Sequence, residues 1–186
     1  MTGAIDELRG SRKKILEPFT NEKSRAFPQQ KGNPEKMSNK KTEQTTLISE
    51  NWLFESDLFS DVLGPFSGSV TARMLASTST STPGPQEITG KYCGPFDLFG
   101  SSLSKSGNWL FVGAPLQDLA GEDSGAVHIY RLEGQRWHHE DILLPEANNP
   151  CQWFGSALAS NGNLLAVSAP SSGFLSDHCG EVIIFW

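Results

Sequence analysis

Phe99-Gly100, Gly113-Ala114-Pro115 and Gly125-Ala126-Val127 return in the same order as Phe154-Gly155, Ser168-Ala169-Pro170 and Gly180-Glu181-Val182, each 55 residues later. Of the thirty-three positions from Phe99 to Arg131, thirteen are identical to their counterparts from Phe154 to Trp186, where average composition would give about two. The block is a repeat. A period of this length marks one supersecondary unit laid down in succession, and each unit has an apolar face that only a neighbour can cover.

A worn copy lies upstream. Shifting by 57 residues aligns Asn51-Trp52-Leu53-Phe54 with Asn108-Trp109-Leu110-Phe111, and Ser67-Gly68-Ser69-Val70 with Ser124-Gly125-Ala126-Val127. Glu55-Ser56-Asp57-Leu58 stands where Val112-Gly113-Ala114-Pro115 would be, and no Phe-Gly precedes it. The chain divides accordingly into 45–95, a degenerate repeat, 96–149, a full repeat, and 150–186, a repeat that stops before its fourth strand. Residues 1–44 stand apart.

Each repeat reads as short strands separated by turn residues, so the fold class is all-β. In the middle copy strands are expected near Gly100 to Ser104, Trp109 to Gly113, Ala126 to Leu132 and Trp137 to Leu143. Ser106-Gly107-Asn108 suits a tight turn, and Pro115, with no N–H to give a ladder, stops the second strand. Leu110-Phe111-Val112 and Leu164-Leu165-Ala166-Val167 are apolar without alternation, as expected of strands covered on both faces. Trp137-His138-His139-Glu140-Asp141 is polar and suits an outer strand. Four strands per unit is the blade of a propeller.

Phe99-Gly100, Gly113-Ala114-Pro115 and Ser124-Gly125-Ala126-Val127 resemble the FG-GAP repeat, the blade unit of the integrin alpha-subunit propeller. The same repeat occurs in the propeller of glycosylphosphatidylinositol-specific phospholipase D and in bacterial surface proteins. The resemblance implies a partial β-propeller of about three four-stranded blades whose loops bind other molecules, in an extracellular or cell-surface setting. It also implies a structural role for Phe99, Gly100, Gly113, Ala114, Pro115, Gly125, Phe154, Gly155, Ala169, Pro170 and Gly180. Physically, the Gly after each Phe allows close backbone approach, and the aromatic fills the wedge between blades.

Charge is unevenly spread. Met1 to Glu43 carries ten Lys and Arg against six Asp and Glu, whereas Gln44 to Trp186 carries five against fifteen. The tail is expected to be disordered, because Ile15, Leu16, Phe19 and Phe27 are too sparse to offset the entropy of ordering it. Arg9, Arg12, Lys13 and Lys14 form a short, interrupted run ahead of an acidic domain, which argues against nucleic acid as a partner. The first forty residues contain no secretory apolar stretch, and no span approaches the roughly 20 apolar residues of a membrane helix. Cys93, Cys151 and Cys179 fit no zinc spacing, and Cys151 and Cys179 share a repeat in which an oxidising compartment would permit a bridge.

No catalytic constellation emerges. Some integrin-type blades hold calcium between the FG and GAP segments, but Ser104 to Asn108 and Ala159 to Asn163 contain no carboxylate, so the oxygen cage is missing. No metal and no cofactor are expected. On a regular strand His138 and Glu140 face one way and His139 and Asp141 the other, which prevents convergence on one ion or substrate. Nucleophile elbows, phosphate loops and HExxH are absent from the sequence. The chain is not expected to be an enzyme.

The leading reading is a module that binds a protein or glycan through loops at Leu116 to Asp123, Pro145 to Trp153 and Ser171 to His178. Gln117, Asp118, Glu122, Asp123, Asn148, Trp153, Asp177 and His178 are its candidate ligand-facing residues. Two further readings are an assembly scaffold and a piece of a longer surface protein or phospholipase-type hydrolase. Fewer than four blades are expected to leave both end sheets with bare apolar faces, inviting self-association.

Overall fold

In the computed structural model the described residues are 45–58, 67–75, 83–145, 152–171 and 180–186. The tail 1–44, Cys151 and Cys179 lie outside them. The described residues form eleven strands and no helix: β1 (Thr46–Ser49), β2 (Trp52–Asp57), β3 (Ser69–Met74), β4 (Gln86–Ile88), β5 (Ser102–Ser106), β6 (Trp109–Ala114), β7 (Ala126–Glu133), β8 (Arg136–Leu143), β9 (Leu158–Asn161), β10 (Leu164–Ala169) and β11 (Glu181–Phe185). They pair as three antiparallel meanders, β1 to β4, β5 to β8 and β9 to β11. This is a partial β-propeller of three blades.

The middle sheet is covered on both faces. Leu110, Val112 and Ala114 of β6 join Trp52, Phe54, Val70, Ile88, Phe99, Tyr130 and Trp137 in the core against the first sheet. Phe111, between them in sequence, points the other way and joins Val127, Ile129, Leu143, Phe154, Leu165 and Val167 against the third. That arrangement explains the unbroken apolar run in β6. β10 differs from expectation: Leu165, Val167 and Ala169 are buried, but Leu164 is 51% exposed, because among the described residues only one face of this sheet is covered.

The repeated residues form the corner at which one sheet receives the next. Phe99 N–H donates to the Ser67 carbonyl at 3.1 Å and, one repeat later, Phe154 N–H donates to the Ser124 carbonyl at 3.0 Å. Gly100 and Gly155 then turn back into their own sheets, their N–H groups bonding the carbonyls of Gly113 and Ser168, each at 2.9 Å. Gly100 has a φ of 93°, which delays β5 to Ser102, two residues later than the pattern suggested. Phe99 and Phe154 are fully buried in the two seams, and each such aromatic contributes about 1.5–3 kcal/mol by leaving water.

Close approach also sets the residue type at Gly113. A β-carbon there would land on the Gly155 carbonyl and the Ser102 hydroxyl, and that hydroxyl donates to the same carbonyl at 2.6 Å. Farther along this seam the hydroxyls of Ser104 and Ser160 lie 2.7 Å apart. Across the other seam the buried Lys105 ammonium meets Glu50 at 2.8 Å. Gln86 behaves there like a piece of backbone: its amide nitrogen donates to the Trp137 carbonyl at 2.7 Å, and its oxygen accepts the Trp137 N–H at 2.9 Å.

Two expectations are corrected. In β8 the pairing runs His138 with Arg131, His139 with Tyr130, then Asp141 with Ile129, so Glu140 is a bulge residue. The extra residue inverts the alternation. His139 therefore shares the first-sheet side with Trp137, while Asp141 turns to the side of the third sheet with Ile129. Nor is β8 simply polar, since Trp137 and Leu143 are buried.

The second correction concerns the outer face of the first sheet, expected to be apolar. Trp52, Phe54, Ser56, Val70 and Ala72 face inward, and their buried positions alternate with partly or fully exposed Glu55, Asp57, Thr71 and Arg73. Arg73 Nε lies 3.2 Å from Glu55 on the outer side, Glu87 stands beside Thr71, and Ile48 and Leu53 are the apolar exceptions. The replacements that wore this repeat down, Glu55 for Val112, Asp57 for Ala114 and Arg73 for Tyr130, all put charge on its solvent side. A charged outer face suits contact with water rather than with another apolar sheet.

Candidate loop surface

Because each sheet is a meander, alternate connections share an end. Residues 89–101 leading into β5, 115–125 between β6 and β7, the described residues 144–145 and 152–157 of the connection between β8 and β9, and 170–171 and 180 of that between β10 and β11 all lie at the end that carries the Phe-Gly corners. The opposite end carries tight turns such as 107–108, 134–135 and 162–163. Backbone bonds tie the long loops together: Leu116 N–H to the Asp97 carbonyl at 3.4 Å, Trp153 N–H to that of Asp123 at 3.2 Å and Ser171 N–H to that of Gln152 at 3.3 Å.

The residues singled out in these loops have different fates. Gln117 is buried, with its oxygen 2.8 Å from His128 Nε2 and its amide nitrogen donating to the Lys91 carbonyl at 3.3 Å. It joins loops rather than facing a ligand. Asp118 is exposed, and its Oδ1 accepts the Asp123 N–H at 2.8 Å, closing the loop on itself. Glu122 is exposed, Asp123 half-buried, and the Trp153 ring 42% exposed. Asn148, Asp177 and His178 lie outside the described residues.

The loop before β5 supplies what sequence reasoning passed over. Tyr92 and Phe96 are 68% and 56% exposed, with φ of 64° and 71°. Bulky side chains rarely adopt this left-handed backbone, which costs roughly 1–3 kcal/mol and gathers at functional sites. Leu98 and Trp153 are also left-handed, with φ of 54° and 55°; they are repeat equivalents, and there the conformation belongs to the corner. The available signal was Tyr92-Cys93-Gly94-Pro95-Phe96, two aromatics flanking a Gly-Pro turn.

Carboxylates lie among these rings. Burial first, and then repulsion from Asp118 and Glu122, raises the pKa of Asp123. Asp97 is raised too, by burial first and then by Asp118 and Asp123, against a lowering from the Gly94 N–H that bonds it at 2.8 Å. Carboxylates that raise one another favour a cationic neighbour. Among the described residues no three His, Cys, Asp or Glu side chains converge to hold a metal.

Beneath the loops Cys93 Sγ lies 3.6 Å from His128 Nε2. Burial, then Asp97, pushes the Cys93 thiol up to about 12; burial, then His139, pushes His128 down to about 3. Both groups are neutral near pH 7. A nucleophilic Cys–His couple needs a thiolate beside an imidazolium, the opposite assignment. The His128 ring packs edge-on against Phe99 at 5.2 Å between centroids, which makes it part of the seam.

Sheets stacked through Phe-Gly corners, with long loops gathered at one end, define a β-propeller repeat protein. Residues 87–130 match the family model for the FG-GAP repeat, a stretch that runs from β4 through the first corner and the acidic loop into β7. The chain carries an FG-GAP repeat, a unit of β-propeller protein-interaction modules. No curated protein matches it. Among the described residues no helix is long and apolar enough to cross a membrane.

Proposed function

We propose that the chain is an integrin-like binding module, not an enzyme, which takes a protein partner bearing basic side chains on its loop end in an extracellular or cell-surface setting. The observation that carries this reading is the exposure of Tyr92, Phe96 and Trp153 around Asp118, Glu122 and Asp123 at one end of the array. Aromatic faces supply contact area and attract cations, while carboxylates select the sign of the partner. The paired sheets hold the loops in place while leaving their sequences free. The neutral Cys93 and His128 support a role without catalysis, and the FG-GAP repeat supports an interaction role. No cofactor or resident metal enters this account. A glycan is the alternative partner, since sugars also stack on aromatic faces.

The test is a comparison on immobilised peptide and glycan arrays of the chain, a Tyr92→Ser/Trp153→Ser variant and a Gln135→Ala variant altered at the opposite end. Binding to Lys- and Arg-containing peptides that weakens with salt, is lost in the double variant and survives in Gln135→Ala is expected. Glycan binding with the same pattern would keep the surface and replace the partner. Equal binding by all three proteins, or equal loss in Gln135→Ala, would overturn the loop-end assignment.

A further inference from the structure

We propose that Asn161 is a covalent modification site, converted to aspartate or isoaspartate through a succinimide formed with Gly162, and that Ser106 of the neighbouring sheet holds the reaction in check. The turn between β5 and β6 reads Ser106-Gly107-Asn108, and its equivalent 55 residues later reads Asn161-Gly162-Asn163, the one Asn-Gly pair in the sequence. Asn161 is exposed at the end of β9. Gly162 follows it with a φ of 60° and presents no β-carbon beside its nitrogen; even a β-carbon built there would meet nothing within 4 Å. Asn51, Asn108 and Asn163 instead precede Trp52, Trp109 and Leu164, whose side chains crowd the same approach.

In the reaction the Gly162 amide nitrogen attacks Cγ of Asn161, forming a C–N bond and breaking the bond from Cγ to Nδ2. The amide proton passes through water to the departing nitrogen, which leaves as ammonia. Water then opens the ring at either carbonyl and is the sole co-reactant. Two features of the seam oppose the first step. Asn161 pairs with Leu164, which keeps its backbone extended, and ring closure requires rotation out of that form. The proton that must leave Gly162 is also held, since its N–H donates to Ser106 Oγ at 2.8 Å across the seam between the second and third sheets. Modification therefore proceeds from a local opening in which the turn leaves Ser106.

Peptide mapping by mass spectrometry during incubation at mildly alkaline pH tests this on the full chain, on Ser106→Ala and on Ser106→Thr, each folded and each unfolded in urea. The expected result is conversion at residue 161, slower in the folded native chain than in urea. Folded Ser106→Ala should react about fivefold faster than the native chain, the factor that one hydrogen bond represents, and Ser106→Thr, which keeps the hydroxyl, at the native rate. In urea all three should react alike, which separates loss of the cross-seam bond from any effect of the substitution itself. Conversion at Asn108 or Asn163 in place of Asn161 overturns the site. Equal rates for folded Ser106→Ala and the native chain, or a native chain that reacts as fast folded as unfolded, overturn the guard.

Discussion

Replacing Gly113 by alanine probes a point where two blades approach closely. The added methyl falls on the carbonyl oxygen of Gly155 and the hydroxyl of Ser102. A hydroxyl can swing aside, but a backbone carbonyl held in a seam cannot. Either the third sheet shifts outward or β6 bends, and overpacking of this kind costs about 1–3 kcal/mol. The 2.6 Å bond from Ser102 to Gly155 is lost with it, a further cost of about 1 kcal/mol.

The expected destabilisation of Gly113→Ala is therefore about 2–4 kcal/mol. With a urea m-value of about 2 kcal/mol/M the midpoint falls by about 1–2 M. Gly84→Ala is the matched control, because a β-carbon at Gly84 meets nothing within 4 Å and its midpoint should move by less than the equivalent of about 0.5 kcal/mol. Urea unfolding followed by tryptophan fluorescence and circular dichroism reads both. If Gly113→Ala unfolds where Gly84→Ala does, the two sheets do not meet as described.

Other consequences follow from the same seams. His128 has a folded pKa near 3 against an ordinary 6.5, so the unfolded chain binds its proton first as pH falls. Its contribution to stability is complete above pH 6.5 and is lost between there and pH 3, at up to about 1.4 kcal/mol per pH unit. The raised carboxyls of Asp97 and Asp123 act in the opposite direction, so the contrast with His128→Gln isolates the imidazole: urea midpoints measured from pH 7 to pH 4 should fall less steeply in the variant, and parallel curves would contradict burial of a neutral ring. Phe154→Ala, which empties the wedge between the second and third sheets, should cost about 3–5 kcal/mol, whereas an exposed ring such as Tyr92 should be replaceable by Ser with little change in thermal midpoint. Equal sensitivity at the two positions would refute the division between seam and surface.

The repeat of the blade was legible because its residues stand at fixed offsets: the Phe-Gly corners and most of the glycines beside them recur where one backbone must approach another. The β8 bulge was not, since a single extra residue is defined by the partner strand, and nothing in His138-His139-Glu140-Asp141 marks which member is unpaired. The worn first repeat carried its meaning in alternation. Glu55 and Asp57 looked like decay until register placed both, with Arg73, on the side facing solvent. Cys93, Gln117 and His128 meet across 35 residues of sequence, with no spacing rule to join them. Tyr92 and Phe96 resembled ordinary loop residues because left-handed backbone at an aromatic leaves no compositional trace. Of the loop end, the acidic stretch after Pro115 was visible in the sequence, and the aromatic half was not.

The sheets stack face to face through repeated corners, and one cross-link reports on that stacking. Ser104 and Ser160 come from different repeats, and their hydroxyls lie 2.7 Å apart across the seam. In a Ser104→Cys/Ser160→Cys variant oxidised under mild conditions, peptide mapping by mass spectrometry should find residues 104 and 160 joined, with the far-ultraviolet circular dichroism of the native chain. Recovery of both thiols unlinked, or their pairing only with Cys93, Cys151 or Cys179, would contradict the stacked-blade arrangement.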